Sequence, residues 1–248
     1  MAIPVLANTT SVAGGFNGTS VAVPVPGSGS VVADDVMLVF GHIESDTAVT
    51  LPTGFAQLAL AEQNDVDGTH RHYCWWKRTT GADSGNYTFQ PPDVYSEWVA
   101  HRITGCITSG NPWDVTDTDL TINSTTSVLS FTTTVDETLI IAVGSVFNTG
   151  ADFTDPDGAG TVWTETFDGD VMASSWRDFA TAGATGNVTL TVSGLGSWWA
   201  SIMVAMKPPT GAASGHPTMR RWGGVPYVGG LGVSGPTESH TRFWGRAA

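Results

Sequence analysis

The sequence predicts an all-β protein built as a single large antiparallel β-sandwich, and three observations support that prediction. Apolar residues alternate with polar ones, or run together, over short segments that turn residues separate. No longer stretch has the period of an amphipathic helix. Only 13% of the residues are charged, and the many threonines suit the half-exposed face of a pleated sheet.

The predicted strands form two groups along the chain. The first group lies at 19–26, 35–43, 55–63, 70–79, 86–90 and 96–104. After the loop GCITSGNPWD, the second group lies at 119–124, 127–135, 137–147, 162–168, 172–180, 187–193 and 197–207. The strands that begin near Val36, Thr138 and Trp198 are apolar on both faces, so we expect a further layer on each side of them.

The two groups repeat one pattern. DDVMLVF at 34–40 corresponds to DETLIIA at 136–142, an offset of 102, and Trp98 corresponds to Trp199 at an offset of 101. This predicts an internal duplication, with halves at about 9–107 and 118–207. Because a polar loop and no flexible linker joins the halves, we expect one jelly-roll, concanavalin-like sandwich over residues 1–208 and not two separate ones.

Charge separates this domain from the last 40 residues. The chain carries a net charge of −13; residues 1–208 hold 22 acidic and six basic residues, whereas 209–248 carry a net charge of +3. An acidic domain repels nucleic acid and anionic membranes. The N-terminus has no pattern of a signal peptide, and Cys74 and Cys106 are expected to be free, buried thiols whose role the sequence leaves open.

Residues 209–248 are predicted to form an extended C-terminal arm. Glycine, proline and serine dominate this segment, which by itself would indicate a linker or a frayed end. It also carries large apolar, aromatic and arginine side chains, the types that dominate binding energy at interfaces. We expect the arm to bind a partner through Met219, Arg220, Arg221, Trp222, Tyr227, Arg242, Phe243 and Trp244.

Two patterns suggest metal ligands. The loop ADFTDPDGAG offers carboxylates for calcium at Asp152, Asp155 and Asp157, although aspartate and glycine also favour ordinary tight turns. The row HRHYC places His70, His72 and Cys74 on one face of a strand, where they could supply three zinc ligands. The alternative is a half-buried face without a metal, and no cofactor is expected.

Most tryptophans are expected to pack inside the sandwich. Trp98, Trp176, Trp198 and Trp199 lie within the repeated strands. Trp113 lies in a loop and is therefore a candidate for contact with a glycan or a partner protein. No phosphate-binding loop, nucleophile elbow or facing pair of carboxylates stands out, so we expect no enzymatic activity.

A series of motifs resembles a known family. In chain order these are DDVMLVF, PTGF, YCWWKRT, SGNYTF, an EW strand, NPWD, AGATGNVTLTVSG and WWASIMVAMKP. The series resembles the lectin-like jelly-roll structural proteins of tailed bacteriophages, which are tail-associated or capsid-surface decoration subunits. The resemblance covers about residues 9–208 and implies a particle component without catalytic residues.

The resemblance implies a non-enzymatic virion structural protein, assembled in the bacterial cytoplasm and displayed on the particle surface. Its arm would dock it to tail or capsid subunits, and repeated contacts in such particles favour a homo-oligomer. Neither nucleic acid nor a membrane is an expected partner. The alternative is a carbohydrate-binding module for host adhesion on the same fold. A polysaccharide-cleaving enzyme is a third hypothesis, which the fold permits but does not imply.

Overall fold

A computed structural model describes residues 2–209 except 17, 46, 66–67, 92–93, 123–125, 147–151, 155, 157–162 and 194–197, together with 221–222 and 225–226. All regular elements in these described residues are strands. The first half holds β1 (Val5–Phe16), β2 (Val21–Pro24), β3 (Ala33–Ile43), β4 (Ala56–Asp65), β5 (Gly68–Thr80), β6 (Asn86–Phe89) and β7 (Tyr95–Thr104). The second half holds β8 (Trp113–Ile122), β9 (Thr126–Leu129), β10 (Thr138–Val146), β11 (Asp152–Thr154), β12 (Thr164–Asp168), β13 (Met172–Phe179), β14 (Val188–Ser193) and β15 (Trp198–Met206).

The chain divides into two compact units, Met1–Gly211 and Ala212–Ala248. In the second unit, β16 (Arg221–Trp222) pairs antiparallel with β17 (Val225–Pro226). The first unit contains the two halves and all the larger sheets. No described helix is long and apolar enough to cross a membrane.

The first unit is built around two five-stranded antiparallel sheets. The first sheet has the order β1-β7-β3-β5-β4, and the second has the order β12-β13-β10-β15-β8. Their inner faces meet in a shared core that includes Leu38 and Phe40 from β3 and Ile141 and Val143 from β10. The predicted all-β antiparallel sandwich is confirmed.

A smaller sheet covers the outer face of each large sheet. The pair β2-β6 covers the first sheet, and the three strands β11-β14-β9 cover the second. Under β2-β6, Trp75 stacks on both Trp98 and Phe89, at centroid distances of 5.4 Å and 5.5 Å. This cover explains why β3 and β10 are apolar on both faces, as the sequence predicted for them.

The two large sheets have the same strand order when β8, β15, β10, β13 and β12 are matched to β1, β7, β3, β5 and β4. The structure shifts the sequence alignment of β3 and β10 by one residue. An offset of 102 would match Leu38, in the shared core, with Ile140, which packs on the outer face. Because successive side chains alternate between faces, an odd offset is required. An offset of 103 matches Leu38 with Ile141, and it also matches Asp34 with Glu137, which both have positive φ angles, of 70° and 58°.

The match of Trp98 with Trp199 changes as well. Trp98 lies opposite Gly41 in the ladder between β3 and β7, and Ser201 lies opposite Gly144 in the ladder between β10 and β15. Gly144 lies 103 residues after Gly41, and Ser201 lies 103 residues after Trp98. Ser201, and not Trp199, therefore occupies the position in the second sheet that Trp98 occupies in the first. The duplication itself, the jelly-roll connectivity and the concanavalin-like form stay predictions.

Three strands lie where the sequence indicated none or too little. The edge strand β1 is formed by residues that the sequence analysis did not assign to a strand. Strand β11 lies at the start of the aspartate-rich loop. The segment from Trp113 to Thr118, which was not predicted as a strand, is part of β8. Carboxylates on β8 accept backbone N–H bonds from the segment after β9, for example Asp117 from Ser130 at 2.8 Å. A polar edge strand that pairs in this way has no apolar alternation for sequence analysis to detect.

Candidate functional site

The inner face of the first sheet carries a group of buried histidines. Alternate residues of β3, β5 and β7 face the second sheet, and these histidines share that face with Phe40 and Cys74 of the shared core. They are His42, His70, His72 and His101, each with at most 6% of its surface exposed. Buried imidazoles require hydrogen-bond partners or another ligand, so this group is the candidate site.

His42, Glu44 and His70 lie close enough to bind one ion. His42 is near the end of β3, Glu44 follows that strand directly, and His70 is near the start of the adjacent β5. One ligand atom from each residue lies within 4.8 Å of the other two. His42 Nε2 lies 3.9 Å from Glu44 Oε1, and the two imidazole rings stack with 6.3 Å between centroids. Two imidazoles and a carboxylate form a donor set used for zinc and for iron(II).

His72 links the two sheets. Its Nδ1 lies 2.9 Å from the carbonyl oxygen of Ala200 in β15, and because a carbonyl only accepts, Nδ1 donates the proton. The Nε2 atom is then the unprotonated nitrogen, and it has no hydrogen-bond partner among the described residues. Burial, assisted by the neighbouring His42, lowers the pKa of His72 to about 3, although its hydrogen bond to Ala200 acts in the opposite direction. His72 is therefore neutral at physiological pH.

Acidic groups surround the same end of the sheet. Glu97, 1% exposed, lies opposite His42 in the ladder between β3 and β7. Its carboxylate accepts N–H bonds from Asp170 and Val171, in the turn between β12 and β13, at 3.2 Å and 2.8 Å. Burial, assisted by the negative charges of Glu97, Asp170 and Glu44, raises the pKa of Tyr95 to about 12. The local potential thus favours a cation.

His101 belongs to the same face but has a different environment. Its Nδ1 lies 2.9 Å from the hydroxyl oxygen of Thr9 on β1. The Phe40 ring lies between His101 and His72, at centroid distances of 5.9 Å and 6.2 Å. Burial lowers the pKa of His101 to about 3. His101 therefore acts as a neutral core residue, separated from His42 and His70.

The predicted row of His70, His72 and Cys74 does share one face of β5, but the structure groups its members differently. His70 joins His42 and Glu44, and His72 bonds to the opposite sheet. Cys74 is buried in the shared core, where burial raises the pKa of its thiol well above its usual value. The pattern HIE at 42–44, with a histidine and a glutamate on one face, was the overlooked signal.

The predicted calcium loop is described only in part. Asp152 begins β11 and pairs with Ser193 of β14, so its backbone belongs to a strand. Asp155 and Asp157 lie outside the described residues. The calcium site stays a prediction.

Trp113 lies at the start of β8 and is half-buried, not in a loop as the sequence indicated. Its ring packs against the shared core and meets Trp76 edge to face at 4.8 Å between centroids. Trp98 is fully buried and Trp176 packs on the shared core, as expected. A contact between Trp113 and a glycan or a partner stays a prediction, and would use the exposed part of its ring.

The predicted contacts of the arm fall almost entirely beyond the described residues. Arg221 and Trp222 are described as strand β16. The other six, Met219, Arg220, Tyr227, Arg242, Phe243 and Trp244, lie outside the described part of the chain. Partner binding by the arm stays a prediction.

Comparison of the chain with protein-family models, with curated proteins and with solved structures gives no match. Two features of the structure bear on function: the division of the chain into two units, and the buried group of residues around His42.

Proposed function

We propose that this protein is a non-enzymatic structural component of a bacteriophage virion, with the sandwich displayed on the particle and the arm docked onto tail or capsid subunits. The observation that carries the proposal is that Met1–Gly211 form a compact unit of their own. The apolar clusters of the described residues draw on residues 3–206. The sandwich thus has an extensive core of its own, which supports a separate role for the arm in binding a partner.

Charge supports the same division of roles. Residues 1–208 carry a net charge of −16 and residues 209–248 carry +3. Arginine, tryptophan and tyrosine are the residues that most often dominate binding energy at protein interfaces. An extended arm of this composition suits an acidic, partly apolar groove or an exposed sheet edge on a neighbouring subunit. An acidic outer domain also disfavours non-specific adhesion to nucleic acid.

The test is incorporation of a truncated protein into particles. Residues 209–248 are deleted in the genome that encodes the chain, particles are purified on a density gradient, and the sandwich is detected with an antibody. We expect the truncated protein to keep its circular dichroism spectrum and its unfolding midpoint but to be absent from the particles. Normal incorporation of the truncated protein would overturn the proposal.

A full-length variant separates the arm's chemistry from its length. Alanine replaces the six residues expected to contribute most, Arg220, Arg221, Trp222, Tyr227, Phe243 and Trp244. Its matched control replaces six polar or small residues of the same arm, Thr210, Ser214, Thr218, Ser234, Thr237 and Ser239. We expect the first variant to be lost from particles and the control to be retained, since loss of a central interface aromatic costs about 2 kcal/mol or more.

A further inference from the structure

We propose that His42, Glu44 and His70 form a binding site for a divalent transition-metal ion, with zinc as the preferred ion. The site joins the end of β3 to the start of β5 on the inner face of the first sheet. It is independent of the role proposed for the arm. The ion would act as a structural cross-link between two adjacent strands at the end of the shared core.

The environment of His42 favours a bound metal ion. Its exposed fraction is 2%, and neither ring nitrogen has a hydrogen-bond partner among the described residues. The 3.9 Å between its Nε2 and Glu44 Oε1 is too long for a hydrogen bond. A buried polar atom left without a partner destabilises the fold. A metal ion bound to this imidazole would give one of its two nitrogens a ligand.

The spacing of the donor atoms also favours a metal ion. Zinc binds imidazole nitrogens and carboxylate oxygens at about 2.0–2.2 Å, so neighbouring ligands around it lie about 3.4 Å apart. The three donor atoms here lie within 4.8 Å of one another. Side-chain rotations that move the stacked rings of His42 and His70 by about 1 Å would bring the three donor atoms to bonding distance of one ion. Three protein ligands leave a fourth position for water.

Charge and access favour a cation at this point. Glu44 is the ligand nearest to solvent, with 24% of its side chain exposed, and offers an entry path. Glu97 lies opposite His42 in the ladder between β3 and β7 and adds negative charge next to the site. Two nitrogen donors select against calcium and magnesium, which prefer oxygen ligands only. The chemistry therefore points to zinc or a similar late transition metal.

The experiment uses the full chain, stripped with a chelator and titrated with zinc chloride in a calorimeter. We expect one ion per chain with a micromolar or tighter dissociation constant. At a zinc concentration a hundredfold above that constant, the thermal unfolding midpoint should rise by about 5–10 °C. Cobalt(II) should give the visible absorption bands of a four-coordinate site with nitrogen ligands. Calcium and magnesium, added to the zinc-loaded protein at the same concentration as zinc, should not displace the zinc.

Two kinds of variant locate the site. His42→Ala and Glu44→Gln should each weaken zinc binding at least tenfold, and Glu44→Gln changes a partly exposed group without altering its size. The control is the double variant His216→Ala/His240→Ala, which removes the two histidines of the arm. It should bind zinc as the parent does.

Three outcomes overturn the proposal: no saturable zinc binding by the parent, unchanged binding in Glu44→Gln, or loss of binding in the arm double variant. Displacement of the bound zinc by an equal concentration of calcium would overturn it as well. A His42→Ala protein that fails to fold is set aside, because the Glu44→Gln result then decides the question.

Discussion

The buried ion pair between Asp35 and Arg102 provides a quantitative test of how the first sheet is held together. Asp35 is in β3 and Arg102 in β7, and Arg102 Nε donates to Asp35 Oδ2 at 2.7 Å. Their side chains are 4% and 9% exposed. The guanidinium also donates to the hydroxyl and the carbonyl oxygens of Ser30, both at 2.7 Å, and to Asn8 at 3.3 Å. Arg102 therefore fastens the loop before β3 to the sheet.

Changing Arg102→Met leaves the Asp35 carboxylate buried with its main charge partner removed. Such a loss costs about 3–5 kcal/mol of the free energy of unfolding, and Asp35→Leu should cost a similar amount by leaving the guanidinium uncompensated. The double variant buries no charge. It should cost only about 1–3 kcal/mol, because Ser30 and Asn8 still lose their donor. The cycle thus predicts a coupling energy of at least about 3 kcal/mol.

The assay is equilibrium unfolding in urea, followed by tryptophan fluorescence, for the parent, both single variants and the double variant. The matched control is the pair Glu62 and Arg71, also 2.7 Å apart on adjacent strands but with side chains 31% and 12% exposed. Its cycle should give a coupling of about 1 kcal/mol or less. Additive costs at Asp35 and Arg102, or equal coupling in the two cycles, would refute the reasoning.

Three further predictions concern the cores. Gly41→Ala should lower the free energy of unfolding by about 1–3 kcal/mol, because its new methyl would lie 3.0 Å from ring carbons of Trp98. A midpoint of urea unfolding equal to the parent's would contradict this. His101 has a folded pKa of about 3 against an unfolded value of 6.5, so the folded protein binds fewer protons at this residue than the unfolded chain does. The free energy of unfolding therefore decreases as the pH falls below 6.5. From about pH 7 to about pH 5 the parent should lose about 2 kcal/mol more than His101→Gln does in urea unfolding, and parallel losses would count against a neutral buried His101. Cys74 and Cys106 are buried, and burial raises the pKa of each thiol, so both should react with a thiol reagent only after unfolding. Rapid labelling of the native protein would contradict this, and labelling in urea is the control.

Much of the fold could be predicted from the sequence because strand patterning is local. The apolar runs of β3 and β10 predicted layers on both sides, and the structure has them. The first part of the edge strand β8, from Trp113 to Thr118, could not be found in this way. Its pairing relies on carboxylates such as Asp117, which read as loop residues until their hydrogen-bond partners are known.

The candidate site was predictable only in fragments. The sequence placed His70 on a strand face with His72 and Cys74, which is correct as a statement about one strand. The neighbours of His70 in the candidate site are His42 of β3 and Glu44 directly after that strand, and their approach depends on the register between β3 and β5. A shift of one residue in that register would turn His42 to the outer face.

The sequence by itself determined the strand character of the chain, the burial of Trp98 and the opposite charges of sandwich and arm, because each depends on composition or on a period of two. Tertiary structure alone decided which faces meet. The odd offset between the halves, the pairing of Asp35 with Arg102 and the approach of Glu44 to His42 and His70 all follow from strand register. Register is set by contacts between distant segments, which no local pattern records.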